Sequence, residues 1–246
     1  MDKKFAFLFA ISITLIIAIN VSLFSTQLSP QREKAVISRI IDGDTLELKD
    51  ARRIRLLNIN TPEKNIPGSE LATKFMKNYE NKEIELEITG PDKYNRLLAR
   101  IYTPEYLNLK LVEEGLAVKF LVDKNEEKIF AKAEKSAINS QLGIWKKSKY
   151  YNCLESLIDS KDEIVTLSNN CNNINIGSWI VKDESRKLYR FNSIELGKVI
   201  LHSAYGEDNG ENIFWNSKTD IWNNDKDTLY LFDKDWQIVH VHSYGY

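Results

Sequence analysis

Cysteine, histidine and net charge are all scarce in this 246-residue chain. Two cysteines, Cys153 and Cys171, are too few for a disulfide-dense scaffold, and without a nearby histidine they do not make a zinc site. They leave two alternatives, one disulfide if the chain is exported or two buried thiols if it is not. The three histidines are His202, His240 and His242. His240 and His242 alternate on one strand face and read as paired surface residues rather than metal ligands. A formal net charge of −1 gives no support to a polyanion-binding protein if the chain is treated as one object. No internal repeat is present, which excludes a solenoid. What the chain does have is 43% hydrophobic and 28% charged residues, the balance of a packed globular core rather than a disordered segment.

The near-zero total hides an asymmetry. Residues 32–150 carry 23 Lys and Arg against 19 Asp and Glu, a net of +4. Residues 151–246 carry 9 against 15, a net of −6. Two parts with different partners are expected. Before both lies Lys3-Lys4 and then an apolar run over residues 5–24, broken only by Ser12, Thr14, Asn20 and Ser22. The pattern is a charged start followed by a run long enough to span a bilayer. No small-x-small cleavage site follows it. An uncleaved membrane anchor or a cleaved signal is expected over residues 1–31, with the remainder at the cell surface or secreted.

Along residues 32–150, strand-like alternation occurs at 35–48 around the Asp42-Gly43-Asp44 turn, and again at 53–59, 83–88 and 97–102. Helical spacing occurs at 70–79, where Leu71, Phe75 and Tyr79 share a face, and at 104–115 and 124–142. Five strands with helices between and after them predict a small closed barrel of the OB type, mainly β with α. From about residue 161 short strand-like runs recur at 164–167, 178–181, 198–202, 228–232 and 237–242 between Asn, Asp and Gly turns. That spacing predicts an immunoglobulin-like β-sandwich over residues 151–246, with 150–159 as the junction.

Within the barrel region, polar residues gather at three places. Asp42-Gly43-Asp44-Thr45 puts two carboxylates at a tight turn. Arg55 sits in a strand that runs to Asn60-Thr61-Pro62-Glu63, and Asp92-Lys93-Tyr94-Asn95-Arg96 makes a cationic turn. Hard oxygen donors suit Ca²⁺, and a planar guanidinium suits a phosphate. Cleaving a phosphodiester needs charge neutralisation, a positioned water and a base, and these residues offer all three. Taken singly, each cluster also reads as an ordinary turn or a solvated strand position.

Their order and spacing resemble the thermonuclease, or staphylococcal-nuclease-like, family. The shared pieces are Ile41-Asp42-Gly43-Asp44-Thr45, Ile54-Arg55-Leu56, Asn60-Thr61-Pro62-Glu63, Asp92-Lys93-Tyr94-Asn95-Arg96, Leu111-Val112-Glu113-Glu114-Gly115-Leu116-Ala117 and Gly143-Ile144-Trp145. The resemblance covers about residues 35–146. It implies a Ca²⁺-dependent nuclease acting on DNA and/or RNA and leaving 3′-phosphate ends. It implies Asp44, Asn60 and the Thr61 carbonyl as metal ligands, and Glu63 as the residue that orients or deprotonates the attacking water. It further implies Arg55 and Arg96 as the clamp on the scissile phosphate, with Lys93 and Tyr94 on a neighbouring phosphate. The chain departs from the family at Asn60, where aspartate is usual, and at Asn95, where glycine is usual. The family's tyrosine after Ala117 has no clear counterpart in Val118-Lys119-Phe120-Leu121. Some copies of this barrel only bind ligands. A catalytically inactive nucleic-acid or surface-binding protein is the alternative, and the intact Arg55, Glu63 and Arg96 argue against it.

The C-terminal region resembles a lamin-tail domain in Glu163–Asn169 and Gly177–Asp183 and, above all, in Trp222-Asn223-Asn224-Asp225-Lys226-Asp227-Thr228. Such domains accompany secreted nucleases and bind proteins, nucleic acid or surfaces, so no single ligand is implied. A net of −6 disfavours a direct grip on a phosphate backbone. A monomer is expected.

Overall fold

Residues 32–172, 174–195 and 197–246 are described by a computed structural model. The apolar run at residues 5–24 lies outside them. Among the described residues no helix is long and apolar enough to cross a membrane. Lys34–Tyr246 is one compact unit. In chain order its elements are β1 (Glu33–Ile40), β2 (Thr45–Leu48), β3 (Arg53–Leu56), β4 (Ile59–Asn60), α1 (Ser69–Lys77), β5 (Glu83–Pro91), β6 (Leu97–Tyr102), α2 (Leu107–Glu113), β7 (Val118–Lys119) and α3 (Glu127–Asn139). There follow β8 (Leu154–Asp159), β9 (Ile164–Asn169), β10 (Ile180–Lys182), β11 (Leu188–Arg190), β12 (Lys198–His202), β13 (Asn212–Phe214), β14 (Asp227–Phe232) and β15 (Ile238–Tyr244).

The first five long strands close a barrel in the order β1-β2-β3-β6-β5, as the mainly-β reading with an OB-type barrel expects. The β3–β6 pair is parallel, whereas β1–β2, β2–β3 and β5–β6 are antiparallel. Alternating residues such as Ile37, Leu46, Leu48, Ile54, Leu86 and Ile101 point inward and form its core with Leu107, Leu111 and Phe130 from the helices. The expected strand at 53–59 is two strands. Asn58 takes a positive φ of 67° and turns the chain between them, and the short β4 leaves the barrel to pair with β7. In α1 the expected face is rotated. Ala72 and Met76 are buried, Phe75 and Tyr79 pack at the edge of the core, and Leu71 is exposed beside a cavity.

The C-terminal strands make two four-stranded sheets, β11-β10-β14-β15 and β13-β12-β9-β8. Val181, Leu229, Leu231 and Val239 of one sheet share a core with Val165, Leu167, Val199 and Leu201 of the other. Residues 154–159, expected within the junction, are the edge strand β8, paired with β9 along its whole length. Cys153 and Cys171 are disulfide-bonded at the open end of that pair. The period of two in β10, β14 and β15 leaves Ile180, Tyr230, Phe232 and Ile238 on the opposite face. Those four pack on Val118, Ala137, Ile138 and Trp145, which puts a third apolar core between barrel and sheet.

A polar network runs through the same junction. Lys119, 1% exposed, reaches Glu134 at 2.6 Å, Thr228 at 2.5 Å and Glu184 at 3.1 Å. Tyr230 donates to Glu134 at 2.7 Å, and Tyr246 donates to Glu184 at 2.5 Å. Burial works against the Lys119 charge, but Glu134 and Glu184 outweigh it and hold its pKa above the ordinary value. Burial pushes the Glu184 carboxyl up to about 7, with Lys119 opposing and Glu134 adding to the rise. Such a network is stable only when every member has a partner.

Candidate active site

The turn between β1 and β2 sets the first part of the site. Asp42 Oδ1 accepts the Asp44 N–H at 3.0 Å, which fixes the turn and points Asp44 inward, 1% exposed. Gly43 is required by crowding. A Cβ there would lie 2.6 Å from the Ala72 Cβ and 2.7 Å from the Thr61 Oγ1, so the turn closes only without a side chain. Asp44 Oδ2 accepts from the Thr61 N–H at 2.8 Å and from its hydroxyl at 3.1 Å. Asp44 Oδ1 accepts from Thr45 at 3.2 Å and pairs with Arg55 Nε at 3.3 Å.

Arg55 on β3 is 5% exposed, and each of its three nitrogens has a partner. Nη1 donates to the Leu56 carbonyl, while Nη2 donates to the Ile59 carbonyl at 2.8 Å and to Asn60 Oδ1. Burial pulls the Arg55 pKa down, Asp44 opposes that, and the neighbouring Arg186 and Arg96 add to it. A guanidinium held this tightly is preorganised, with little reorganisation left to make when an anion arrives.

Arg96 is set by its own turn. Asp92 Oδ1 accepts the N–H groups of Tyr94 at 2.8 Å and Arg96 at 3.0 Å, and Asp92 Oδ2 accepts Arg96 Nε at 2.9 Å and Nη2 at 2.7 Å. Some burial opposes the Asp92 charge, but these donors win and hold its carboxyl below the usual range. Asn95 takes φ 62°, so the turn survives without the family's glycine, because asparagine tolerates the left-handed region. Tyr94 is exposed, with Lys93 Nζ 5.1 Å and the Arg96 guanidinium 5.4 Å from its ring centre.

These parts line neighbouring cavities, two of which divide the site. One, of about 580 Å³, is cationic and aromatic: Arg55, Lys93, Tyr94 and Arg96 line it together with Asn60 and Asp92. The other, of about 980 Å³, is lined by Asp42, Asp44, Thr61 and Glu63 and by one face of α1. Arg186 lines both.

Arg186 was not singled out in the sequence. It comes from the five-residue link Asp183-Glu184-Ser185-Arg186-Lys187 between β10 and β11, whose four charges look like a solvated turn. Arg186 Nε is ion-paired with Glu63 Oε1, and its Nη2 lies 4.0 Å from Asp44 Oδ1. Two residues earlier, the Glu184 carbonyl accepts the Asn60 Nδ2 at 2.8 Å. The same link lends Ser185 and Lys187 to the cationic cavity.

Among the described residues no three His, Cys, Asp or Glu side chains converge on one point. The oxygen donors nonetheless fit a hard cation. The Asp44 carboxylate takes the Thr61 N–H and hydroxyl, Asp42 closes the same turn, and Asn60 contributes a neutral amide oxygen that is shared with Arg55. The Asp42 carboxyl is pushed up by burial and then by the Asp44 charge, a crowding of negative charge that a cation relieves.

Residues 53–147 match the family described as "Staphylococcal nuclease homologue". Proteins from Escherichia coli and from Escherichia coli O157:H7, each named "Uncharacterized endonuclease", are 30% identical to this chain over 115 residues. Those residues make up 44% of this chain and 74% of each relative.

Proposed function

This chain belongs to the staphylococcal nuclease homologue family and is a nuclease, and from that premise we propose that Arg55, Glu63 and Arg96 carry the hydrolysis of a nucleic-acid phosphodiester. The observation that carries the reading is that Arg186 lines both the cationic cavity and the larger one that holds Asp42, Asp44 and Glu63, which puts a place for a phosphate beside a place for a water and its base. Arg55 and Arg96 neutralise the phosphate and the charge that grows on its oxygens in the transition state. Glu63, with 45% of its side chain exposed, takes the proton of the attacking water. The new water oxygen–phosphorus bond forms as the bond to the 5′ oxygen breaks. That oxygen takes a proton from solvent and leaves as a hydroxyl, Glu63 returns its proton to solvent, and the phosphate stays on the 3′ end. Lys93 and Tyr94 hold the adjoining nucleotide, the first by charge and the second by its exposed ring.

Asp44, Asn60 and Thr61, with Asp42 beside them, would hold a Ca²⁺ ion. When bound, the ion supplies Lewis-acid polarisation of the phosphate and a lower pKa for a bound water. DNA and RNA are both candidate substrates, because phosphate and base-stacking contacts of this kind do not read the sugar.

The two C-terminal sheets suit a lamin-tail-like immunoglobulin sandwich. Asp227 of the Trp222–Thr228 stretch supports that reading by accepting from the Asn223, Thr228 and Glu184 N–H groups at 3.1, 2.7 and 3.3 Å, so the long turn is internally tied. The Cys153–Cys171 bond supports an extracytoplasmic location, since such bonds persist in oxidising compartments.

The test uses the full chain with single- and double-stranded DNA and RNA, with calcium or with chelator. Glu63→Gln is expected to lower kcat by 10²-fold or more, about the contribution of one general base, while leaving substrate affinity within a few-fold. Undiminished cleavage by Glu63→Gln would overturn the assignment of the base. Undiminished cleavage in chelator would overturn the calcium requirement.

A further inference from the structure

We propose that Arg186, carried by the C-terminal sandwich, is a substrate-binding residue of the nuclease site, where it receives a phosphate of the nucleic-acid strand. The inference rests on the reading of Glu63 and the two arginines given above and adds a third guanidinium from the other half of the molecule.

The three guanidinium groups differ in what they have left to give. Arg55 is buried, with all its nitrogens already on Asp44, Asn60 and two backbone carbonyls. Arg96 has 20% of its side chain exposed and its fork on Asp92. Arg186 has 46% of its side chain exposed, and Nε pairs with Glu63 at the boundary of both cavities. It is the most open of the three, and a carboxylate is its resting partner. Carboxylate and phosphate are recognised by the same planar fork, so a strand phosphate can take the place of Glu63 on Arg186. That exchange also releases Glu63 toward the water it is to deprotonate.

The link that carries Arg186 is held in a defined conformation. Asp183 Oδ1 accepts the Ser185 N–H at 3.0 Å and the Ser185 hydroxyl at 2.7 Å, and Ser185 Oγ accepts the Lys187 N–H at 3.2 Å. Glu184 beside it is 2% exposed, with its carboxylate on Lys119, Thr228 and Tyr246. Its carbonyl takes the Asn60 amide at 2.8 Å. Asparagine at position 60 fits this contact because its amide donates there, which a carboxylate cannot do. An aspartate would set an oxygen against the carbonyl oxygen. The unusual residue of the barrel and the inserted link of the sandwich are therefore two sides of one contact.

The experiment measures binding of a fluorescein-labelled single-stranded DNA 12-mer to the full chain in a Glu63→Gln background, as a function of salt, with and without Arg186→Ala. Turnover is measured separately with Glu63 intact for Arg186→Ala, Arg186→Gln and Arg186→Lys. Loss of one phosphate contact is expected to weaken DNA binding about tenfold or more and to make the slope of log K against log[salt] shallower by about 0.7. Arg186→Lys is expected to keep the slope and to restore part of the turnover lost in Arg186→Ala and Arg186→Gln. A residue that merely supports the fold would change the thermal midpoint without changing the salt slope. An unchanged slope overturns the proposal, and so does turnover that rises in Arg186→Ala, the mark of a plug rather than a ligand. If Glu63→Gln itself still cleaves, the reading of the base fails. If Glu63→Gln is inactive and the slope is unchanged, only the role of Arg186 fails.

Discussion

Asn60 offers two atoms to two partners: Oδ1 accepts from Arg55 and Nδ2 donates to the Glu184 carbonyl. Replacing it by aspartate acts on both. The added negative charge beside Asp44 favours a cation, so calcium binding is expected to tighten in Asn60→Asp. The Glu184 carbonyl, buried and deprived of its donor, is expected to cost about 1–3 kcal/mol of stability. The two effects part in one experiment. Calcium titration of Asn60→Asp should show a lower Kd, and thermal unfolding in chelator should show a lower midpoint than the native chain. An unchanged Kd would mean that the amide oxygen already serves the cation as well as a carboxylate does. At this scale the sequence displayed the exchange but not its cause, because the partner lies 124 positions away, in the link between β10 and β11.

The elements that carry the site are short and depend on close approach. Gly43→Ala brings a methyl group to within 2.6–2.8 Å of Ala72 and Thr61, neither of which has a flexible end to swing aside. Overpacking of this kind costs about 1–3 kcal/mol. The displaced Thr61 would also loosen its two hydrogen bonds to Asp44. Gly43→Ala is expected to lower both the denaturant midpoint and kcat, and chemical denaturation with steady-state kinetics on one preparation checks it. Elements governed by local pattern were legible from the residues. The alternation at 97–102 and 198–202 gave strands with those bounds, and the Asp92–Arg96 turn is built by its own aspartate and arginine. Elements governed by distant partners were not. Residues 154–159 hold an exposed Leu157 and a serine, and become a strand only by pairing with β9. Leu188–Arg190 and Asn212–Phe214 are three residues long, too short for a period to register. The charged link at 183–187 reads as a solvent-facing turn until the sandwich is docked on the barrel.

In the whole molecule, barrel and sandwich meet through an apolar patch centred on Trp145 and through the Lys119–Glu134–Glu184 network, and the second of these is sensitive to pH. The Glu184 carboxyl is raised from 4.5 to about 7 in the folded chain. Between about pH 4.5 and about 7 the folded state therefore keeps a proton on Glu184 that the unfolded state has released. Its contribution to stability is fully present below about pH 4.5 and is lost as pH rises through about 7. His240 acts in the opposite sense. Burial and His242 lower it to about 4, so its contribution is present above 6.5 and is lost as pH falls toward 4. The two overlap in a simple melting curve, and a substitution at Glu184 separates them. Glu184→Gln keeps the shape of the protonated acid and cannot ionise. Near pH 5 its thermal midpoint is expected to lie close to that of the native chain. Near pH 8 the glutamine chain should be the more stable, by an amount on the order of 2–3 kcal/mol. Because Glu184 also anchors the link that carries Arg186, DNA affinity in a Glu63→Gln background should fall between pH 5 and 8 less steeply in the Glu184→Gln chain. A stability gap independent of pH would mean that Lys119 and Tyr246 keep Glu184 ionised throughout, and that docking of the sandwich on the barrel does not respond to protons.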